Sequence, residues 1–203
     1  MIRNIVWDMG NVLADFNVQH ILEGLVREEH REAILEAVFH TPDWIRFDAG
    51  DIESPEEMAE LCRARTDQNL WDEVDAAVFH WYEYTMEPIR ETEALVRKLK
   101  AAGYHQYVLS NVNVMVDRYK DSIPAFGLMD GLYFSAFKKM MKPERRIYRG
   151  LLDEYGLKAE ESVFVDDNYV NVAGAMIAGM HGIVFTGDIG KLEEELKKHN
   201  VQW

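Results

Sequence analysis

The chain of 203 residues has a single cysteine, Cys62, and only five prolines. One thiol closes no intrachain disulfide and builds no cysteine-based zinc site, so a reducing compartment fits. Basic charge is in deficit: 22 Lys+Arg stand against 36 Asp+Glu, a formal net charge of -14. A field of that sign repels nucleic acid and anionic membrane surfaces, so neither is expected as a partner. No apolar run approaches the roughly 18–20 residues of a membrane span. The longest candidate, Ala173 to Phe185, is interrupted by three glycines and His181. The first apolar run, Ile2 to Trp7, is too short for a secretory leader and meets Asp8, so a cytoplasmic protein is expected. The histidines are scattered, with no two at the helical spacing of metal ligands. What is present is ordinary globular material, 48% apolar and 29% charged. The length suits one large domain, or a domain carrying an insert.

Two textures share the chain. Ile2 to Trp7 is short and β-branched and predicts a buried strand with a turn at Gly10. From Asn17, a plausible N-cap, apolar residues follow helical spacing through Val18, Ile21, Leu22 and Leu25. Thr41-Pro42-Asp43 breaks that pattern. Ser54-Pro55-Glu56-Glu57 starts a helix, with a cap, a first-turn proline and a capping-box glutamate. Residues 17–84 therefore read as wholly helical. After Pro88, strands alternate with helices: a helix ending at Gly103, strands at Tyr107–Leu109 and Gly131–Phe134, and a helix from Glu144 to Gly156. A strand at Val163–Val165, a helix through Gly179, a strand at Ile183–Phe185 and a last helix from about Lys191 follow. That alternation predicts an α/β fold: a Rossmann-like parallel sheet with helices on both faces, interrupted by an α-helical insert. The expected division is a core of residues 1–16 and 85–203 and an insert of residues 17–84.

Three apolar strand candidates end in polar residues: at Asp8, at Ser110-Asn111 and at Asp166-Asp167. Open parallel sheets bind ligands at the carboxyl ends of their strands, so these residues can converge. Three carboxylates brought together repel one another. A hard cation such as Mg²⁺ relieves that repulsion, accepts oxygen ligands and leaves room for a phosphate. Ser110 and Asn111 could hold phosphate oxygens, and Lys142, before Pro143, could add a compact positive charge. A carboxylate nucleophile, a cation site, an ammonium and neutral donors suit phosphoryl transfer.

The order Asp8-Met9-Gly10-Asn11-Val12-Leu13, Leu109-Ser110-Asn111, Lys142-Pro143 and Val165-Asp166-Asp167-Asn168 resembles the haloacid dehalogenase superfamily of aspartate-nucleophile hydrolases. The helical insert lies where that superfamily carries its small cap. Within it, the subgroup acting on α-D-glucose 1-phosphate is the most similar, since it also begins Asp-x-Gly-Asn-Val. The resemblance implies a Mg²⁺-dependent phosphatase of a small phosphorylated metabolite, a sugar 1-phosphate. Asp8 would attack phosphorus and form an aspartyl-phosphate, and Asp8 with the Gly10 carbonyl would bind Mg²⁺. Asp167 would be a direct metal ligand, and Asp166 would ligate the metal or orient its waters. Ser110 and Asn111 would hold the phosphate, and Lys142 would bridge it to Asp8.

Gly10 departs from the pattern. Most phosphatases of the superfamily have a second Asp there, acting as general acid and base, and such help is worth about 10²–10⁴ in rate. Either another donor serves, such as Asp15 or a bound water, or the substrate has a good leaving group. The same gap keeps a metal-independent 2-haloacid dehalogenase as the alternative enzyme, with Asp166-Asp167 arguing against it. A non-catalytic binding module on this fold is the third reading. Of the basic stretch 138–149, only Lys142 is assigned to the site. Cys62 is assigned to packing, Trp44 and Trp81 to the interior of the insert. Substrate choice is expected from the insert and its loops, notably around Asp43 to Gly50.

Overall fold

A computed structural model describes all residues from 1 to 203. The first strand, β1 (Asn4–Trp7), is buried along its whole length, as its β-branched composition requires of a central strand. Six α-helices separate it from the next: α1 (Val18–Leu25), α2 (Arg31–Ile34), α3 (Pro42–Ala49), α4 (Pro55–Arg63), α5 (Trp71–His80) and α6 (Arg90–Ala101). Strand β2 (His105–Ser110) follows, then α7 (Val116–Tyr119), β3 (Gly131–Phe134) and α8 (Ser135–Lys138). The chain ends with α9 (Arg145–Tyr155), β4 (Ser162–Asp166), α10 (Tyr169–Ile177), β5 (His181–Val184) and α11 (Ile189–Lys198). All five strands are parallel, in the order β3-β2-β1-β4-β5.

The period of two along the strands distributes side chains between two cores. Ile5, Trp7 and Val163 face one way, against Leu95 and Leu99 of α6, Leu192 of α11 and the apolar side of the insert. Val6, Leu109 and Phe164 face the other way, against Ile147, Tyr148 and Leu151 of α9 and Ala175 of α10. Helices therefore cover both faces. The insert shares the first core: Ile21, Phe47, Met58, Cys62 and Trp81 are buried in continuity with the sheet. The Trp7 indole donates to Gln106 Oε1 at 3.0 Å, and Gln106 Nε2 donates to the Val96 carbonyl, so this buried amide is satisfied.

The caps form much as the sequence predicts. Asn17 accepts from the Gln19 amide and Ser54 from the Glu57 amide. Glu57 returns its bond to the Glu53 amide, one residue earlier than a capping box requires. Cys62 is buried, and burial pushes its thiol up to about 11, as expected of a packing residue. The segment around Asp43 to Gly50 differs from expectation. It is not a loop but the helix α3, because Thr41 caps the Trp44 amide and Pro42 fills the first turn.

Helix α3 ends where the insert meets the sheet domain. Gly50 closes it at φ 78°, and a Cβ built there would lie 2.2 Å from the Ala136 carbonyl oxygen. Ser135, fully buried, sits beside that contact. Its Oγ accepts from the Val112 amide and lies 2.5 Å from the Asp48 carbonyl and 3.1 Å from the Val112 carbonyl. Gly50→Ala should therefore cost about 2–4 kcal/mol, from a left-handed backbone forced on a residue with a Cβ and from overpacking against main chain. Urea unfolding should show this loss, and an unchanged midpoint would mean that α3 is not seated as described.

Candidate active site

The strand order sets the site. Strand β1 lies between β2 and β4, with Trp7 opposite Val108 on one side and Val165 on the other. Asp8 and Asp166 lie one residue beyond those pairs and Ser110 two residues beyond, so three strand ends deliver them to one edge of the sheet. The Asp8 amide donates to the Val165 carbonyl at 2.8 Å, which extends the ladder up to the site itself.

Lys142 is the hub. Its side chain is 1% exposed, and Nζ lies 2.7 Å from Asp8 Oδ1 and 2.7 Å from Asp166 Oδ2. Burial pulls its basicity down, and the two carboxylates more than reverse this, so the ammonium is held above its ordinary value. Asp8 shows the opposite balance. Burial pushes it up to about 6, Lys142 pulls against that, and Asp166 adds to the rise. Asp8 Oδ1 also accepts from the Met9 amide at 2.7 Å, whereas Oδ2 accepts no hydrogen bond.

Asp166 is fully engaged. It accepts from Lys142, from the Asn168 amide at 2.7 Å, and from Asn171 Nδ2 at 3.2 and 3.1 Å. Asp167 is exposed and accepts from Asn11 Nδ2 at 3.1 Å. Ligand atoms of Asp8, Asp166 and Asp167 lie within 4.8 Å of one another. Three carboxylates against one ammonium leave a formal excess of two negative charges, which a divalent cation would neutralise. The donor set is all oxygen, as Mg²⁺ requires, and the Gly10 carbonyl, which accepts no hydrogen bond, could add to it.

A cavity of about 140 Å³ opens between this edge and the insert. Asp8, Gly10, Ser110, Asn111 and Lys142 line it from the sheet, all five predicted from sequence. Asn111 also grips the main chain of Lys142. Its Nδ2 donates to the Lys142 carbonyl at 3.0 Å and its Oδ1 accepts from the Lys142 amide at 2.8 Å. Its side chain thus positions the lysine. The basic neighbours of Lys142 do not join the site, since Lys138 pairs with Glu154 and Lys139 with Glu53. Asp15 lies in a separate depression with His20 and Thr85.

The insert supplies the other wall. Trp44, Asp48 and Trp81 line the cavity together with Phe16, Met86, Asn113 and Tyr119. Trp81 packs edge-on against Phe16, Trp44 and Tyr119, with centroids 5.4–5.9 Å apart. The two tryptophans are thus both interior to the insert and part of the cavity wall. Sequence reasoning missed Asp48, Asn113, Tyr119 and Asn171. Asn171 was legible, since a polar residue in the first turn after a strand ending in Asp faces back to that strand end. Asp48 was not, because only the folding of α3 onto α8 brings it there.

A family model for haloacid dehalogenase-like hydrolases matches residues 2–179. The sesquiterpene phosphatase astK of Aspergillus oryzae is 26% identical over 190 residues, covering 93% of this chain and 92% of that protein. The enzyme bt-2542 of Bacteroides thetaiotaomicron, a haloacid dehalogenase family protein solved with magnesium and inorganic phosphate, has a TM-score of 0.76 at 23% identity. That match covers 95% of this chain and 99% of that one. The L-2-haloacid dehalogenase of Xanthobacter autotrophicus has a TM-score of 0.67 at 18% identity, covering 100% and 85%. Both likenesses are of fold. With the family match over residues 2–179 and Asp8, Lys142 and the Asp166-Asp167 pair gathered at one sheet edge, the chain belongs to the haloacid dehalogenase-like hydrolases.

Proposed function

We propose that the protein is a Mg²⁺-dependent phosphatase that hydrolyses a small phosphate monoester through an aspartyl-phosphate on Asp8. The observation that carries this reading is the convergence of Asp8, Asp166 and Asp167 about a single buried ammonium. A dehalogenase acting without metal has no use for that excess of negative charge. Asp8 supplies the attacking oxygen. Lys142 orients Asp8 and offers its charge to the phosphate, with Ser110 and the Asn111 main chain beside it. Asp8, Asp167 and the Gly10 carbonyl would hold the cation, which when bound screens the carboxylates and neutralises phosphate charge. Asp166, saturated with hydrogen bonds, holds Lys142 and orients the metal's surroundings.

The organic part of the substrate lies against the aromatic wall. A sugar 1-phosphate is the first substrate to try: an apolar sugar face suits Trp44 and Trp81, and its anomeric leaving group is a good one. The seven hydrophobic residues of the lining favour a second reading, a small terpenoid phosphate, the substrate class named for the Aspergillus relative. In this reading residues 17–84 are a cap that opens to admit substrate and closes to exclude water. A screen with Mg²⁺ against sugar 1- and 6-phosphates, a farnesyl-type monophosphate and 4-nitrophenyl phosphate tests it. Loss of activity in chelator and return with Mg²⁺ is expected. Turnover of 2-chloropropionate but of no phosphate would overturn it.

Asp167→Ala should raise the Mg²⁺ concentration for half-maximal activity roughly 10–100-fold, the range seen when metal-site support is removed. Calorimetric titration with Mg²⁺ alone gives the same comparison without turnover. Equal affinity in variant and wild type would remove Asp167 from the metal site.

A further inference from the structure

Gly10 leaves the sheet edge without an acid, yet a carboxyl reaches the cavity from the other side. Asp48, near the C-terminal end of α3, lines the cavity that also contains Asp8 and Lys142. It is held at two points. Its backbone carbonyl meets Ser135 Oγ at 2.5 Å, and its Oδ1 accepts from Asn113 Nδ2 at 3.0 Å. Oδ2 accepts no hydrogen bond and is free to carry a proton. We propose that Asp48 is the proton donor to the leaving-group oxygen, in place of the acid side chain that Gly10 lacks. The proposal rests on the phosphatase reading above.

The protonation state suits a proton donor. Burial pushes the Asp48 carboxyl up to about 7, against the pull of Asn113. No cation on neighbouring elements reverses this. On α3, Arg46 pairs with Asp43, which also binds Arg65. Beside α8, Lys138 and Lys139 are bound to Glu154 and Glu53. On α4, Arg63 pairs with Asp75, and before α3 His40 pairs with Glu36. Lys142 is engaged by Asp8 and Asp166. The remaining titratable neighbour is the Tyr119 phenol, kept neutral by burial and by Asp48 itself.

A second observation marks the same place as the leaving-group pocket. Trp81 Nε1 and Tyr119 Oη are buried without a partner, and both residues line the cavity. Buried polar atoms seldom go unpaired, and a small shift of either ring as substrate enters would bring these to oxygens on the leaving group. The step then balances. The Asp8 carboxylate forms a bond to phosphorus as the bond from phosphorus to the leaving oxygen breaks. The electron pair stays on that oxygen, which takes the Asp48 proton and departs as the neutral alcohol. Asp48, now a carboxylate, takes a proton from water as the resulting hydroxide attacks the aspartyl-phosphate. Inorganic phosphate leaves, Asp8 is a carboxylate again and Asp48 is protonated again.

The test compares Asp48→Asn with wild type on phosphate esters of graded leaving-group acidity, from 4-nitrophenyl to alkyl, with Mg²⁺. The amide still offers an acceptor to Asn113. Turnover of the alkyl ester should fall roughly 10²–10⁴-fold and that of the nitrophenyl ester less than about 10-fold. In wild type, kcat for the alkyl ester should decline as pH rises through about 7, and the variant should lose that limb. Gly10→Asp placed in the Asp48→Asn background should restore alkyl turnover, since a Cβ at Gly10 meets only Phe16 Cβ at 3.7 Å.

Folding gives a readout without activity. An acid whose folded pKa is raised loses stability as pH rises from its unfolded value through its folded one. Asp48→Asn should therefore raise Tm at pH 8.5 and leave it nearly unchanged at pH 4. Equal loss on all esters in an active enzyme, or retention of the alkaline limb, overturns the proposal alone. A wild type inert toward every ester, with its metal site intact by Mg²⁺ titration, overturns the phosphatase reading and this proposal with it.

Discussion

Asp8→Asn should reduce turnover by roughly four orders of magnitude or more, the scale on which removal of a nucleophile acts. The amide is nearly the same shape but is a poor nucleophile and a weaker ligand for a hard cation. The fold should survive. Burial raises the Asp8 carboxyl to about 6, so in the folded protein the ionised form becomes unfavourable as pH rises from about 4 through 6. Asn carries no such penalty at pH 8, though Lys142 loses one of its two partners. Tm should accordingly stay within a few degrees of wild type. Activity above a few per cent, once deamidation is excluded by mass spectrometry, would remove Asp8 as nucleophile.

Lys142→Met should be the most damaging change to stability in the site, at about 3–5 kcal/mol. The methionine fills a similar volume but leaves Asp8 and Asp166 without their shared counter-charge, and Asp166 has no exposure to water. The sign of the pH dependence follows. Without the ammonium the Asp8 carboxyl rises further, so the folded state takes up a proton that the unfolded chain does not. The loss should be largest near pH 8 and shrink toward pH 5. Denaturant unfolding at the two pH values measures this. A variant as stable as wild type at pH 8 would show that water or backbone donors, not Lys142, sustain the pair.

Much of the sheet edge was legible because its signals are local. An apolar β-branched run that stops at Asp8, and another that stops at Asp166, state both the strand and the carboxylate at its end in consecutive residues. Lys142 was legible only through its company, since nothing about one lysine in a basic stretch foretells a side chain 1% exposed. The role of Asn111 as a clamp on the Lys142 main chain depends on a contact across 31 residues. Asp48 lay further out of reach. Its place depends on Pro42 restarting a helix, on the left-handed turn at Gly50, and on Ser135 meeting that helix 87 residues later. Such long-range packing leaves no period in the sequence.

Ser135 also bears on the energetics of opening. Its hydroxyl carries one hydrogen and faces two carbonyls, Asp48 in the insert and Val112 in the sheet domain. Were α3 to lift away, the hydroxyl would rotate to Val112 and remain satisfied, while the Asp48 carbonyl would turn to entering solvent. At Ser135 no buried donor is stranded, so this contact adds only about 0.5–1.5 kcal/mol to a separation that must also break the Asn113 bond to Asp48, the Lys139–Glu53 pair and the apolar core shared with the sheet. Ser135 is thereby a reversible catch within that seam: it helps to define where α3 rests without adding a stranded donor to the cost of leaving. Replacing Ser135 with alanine would remove the fallback together with the catch, stranding the Val112 amide in both positions.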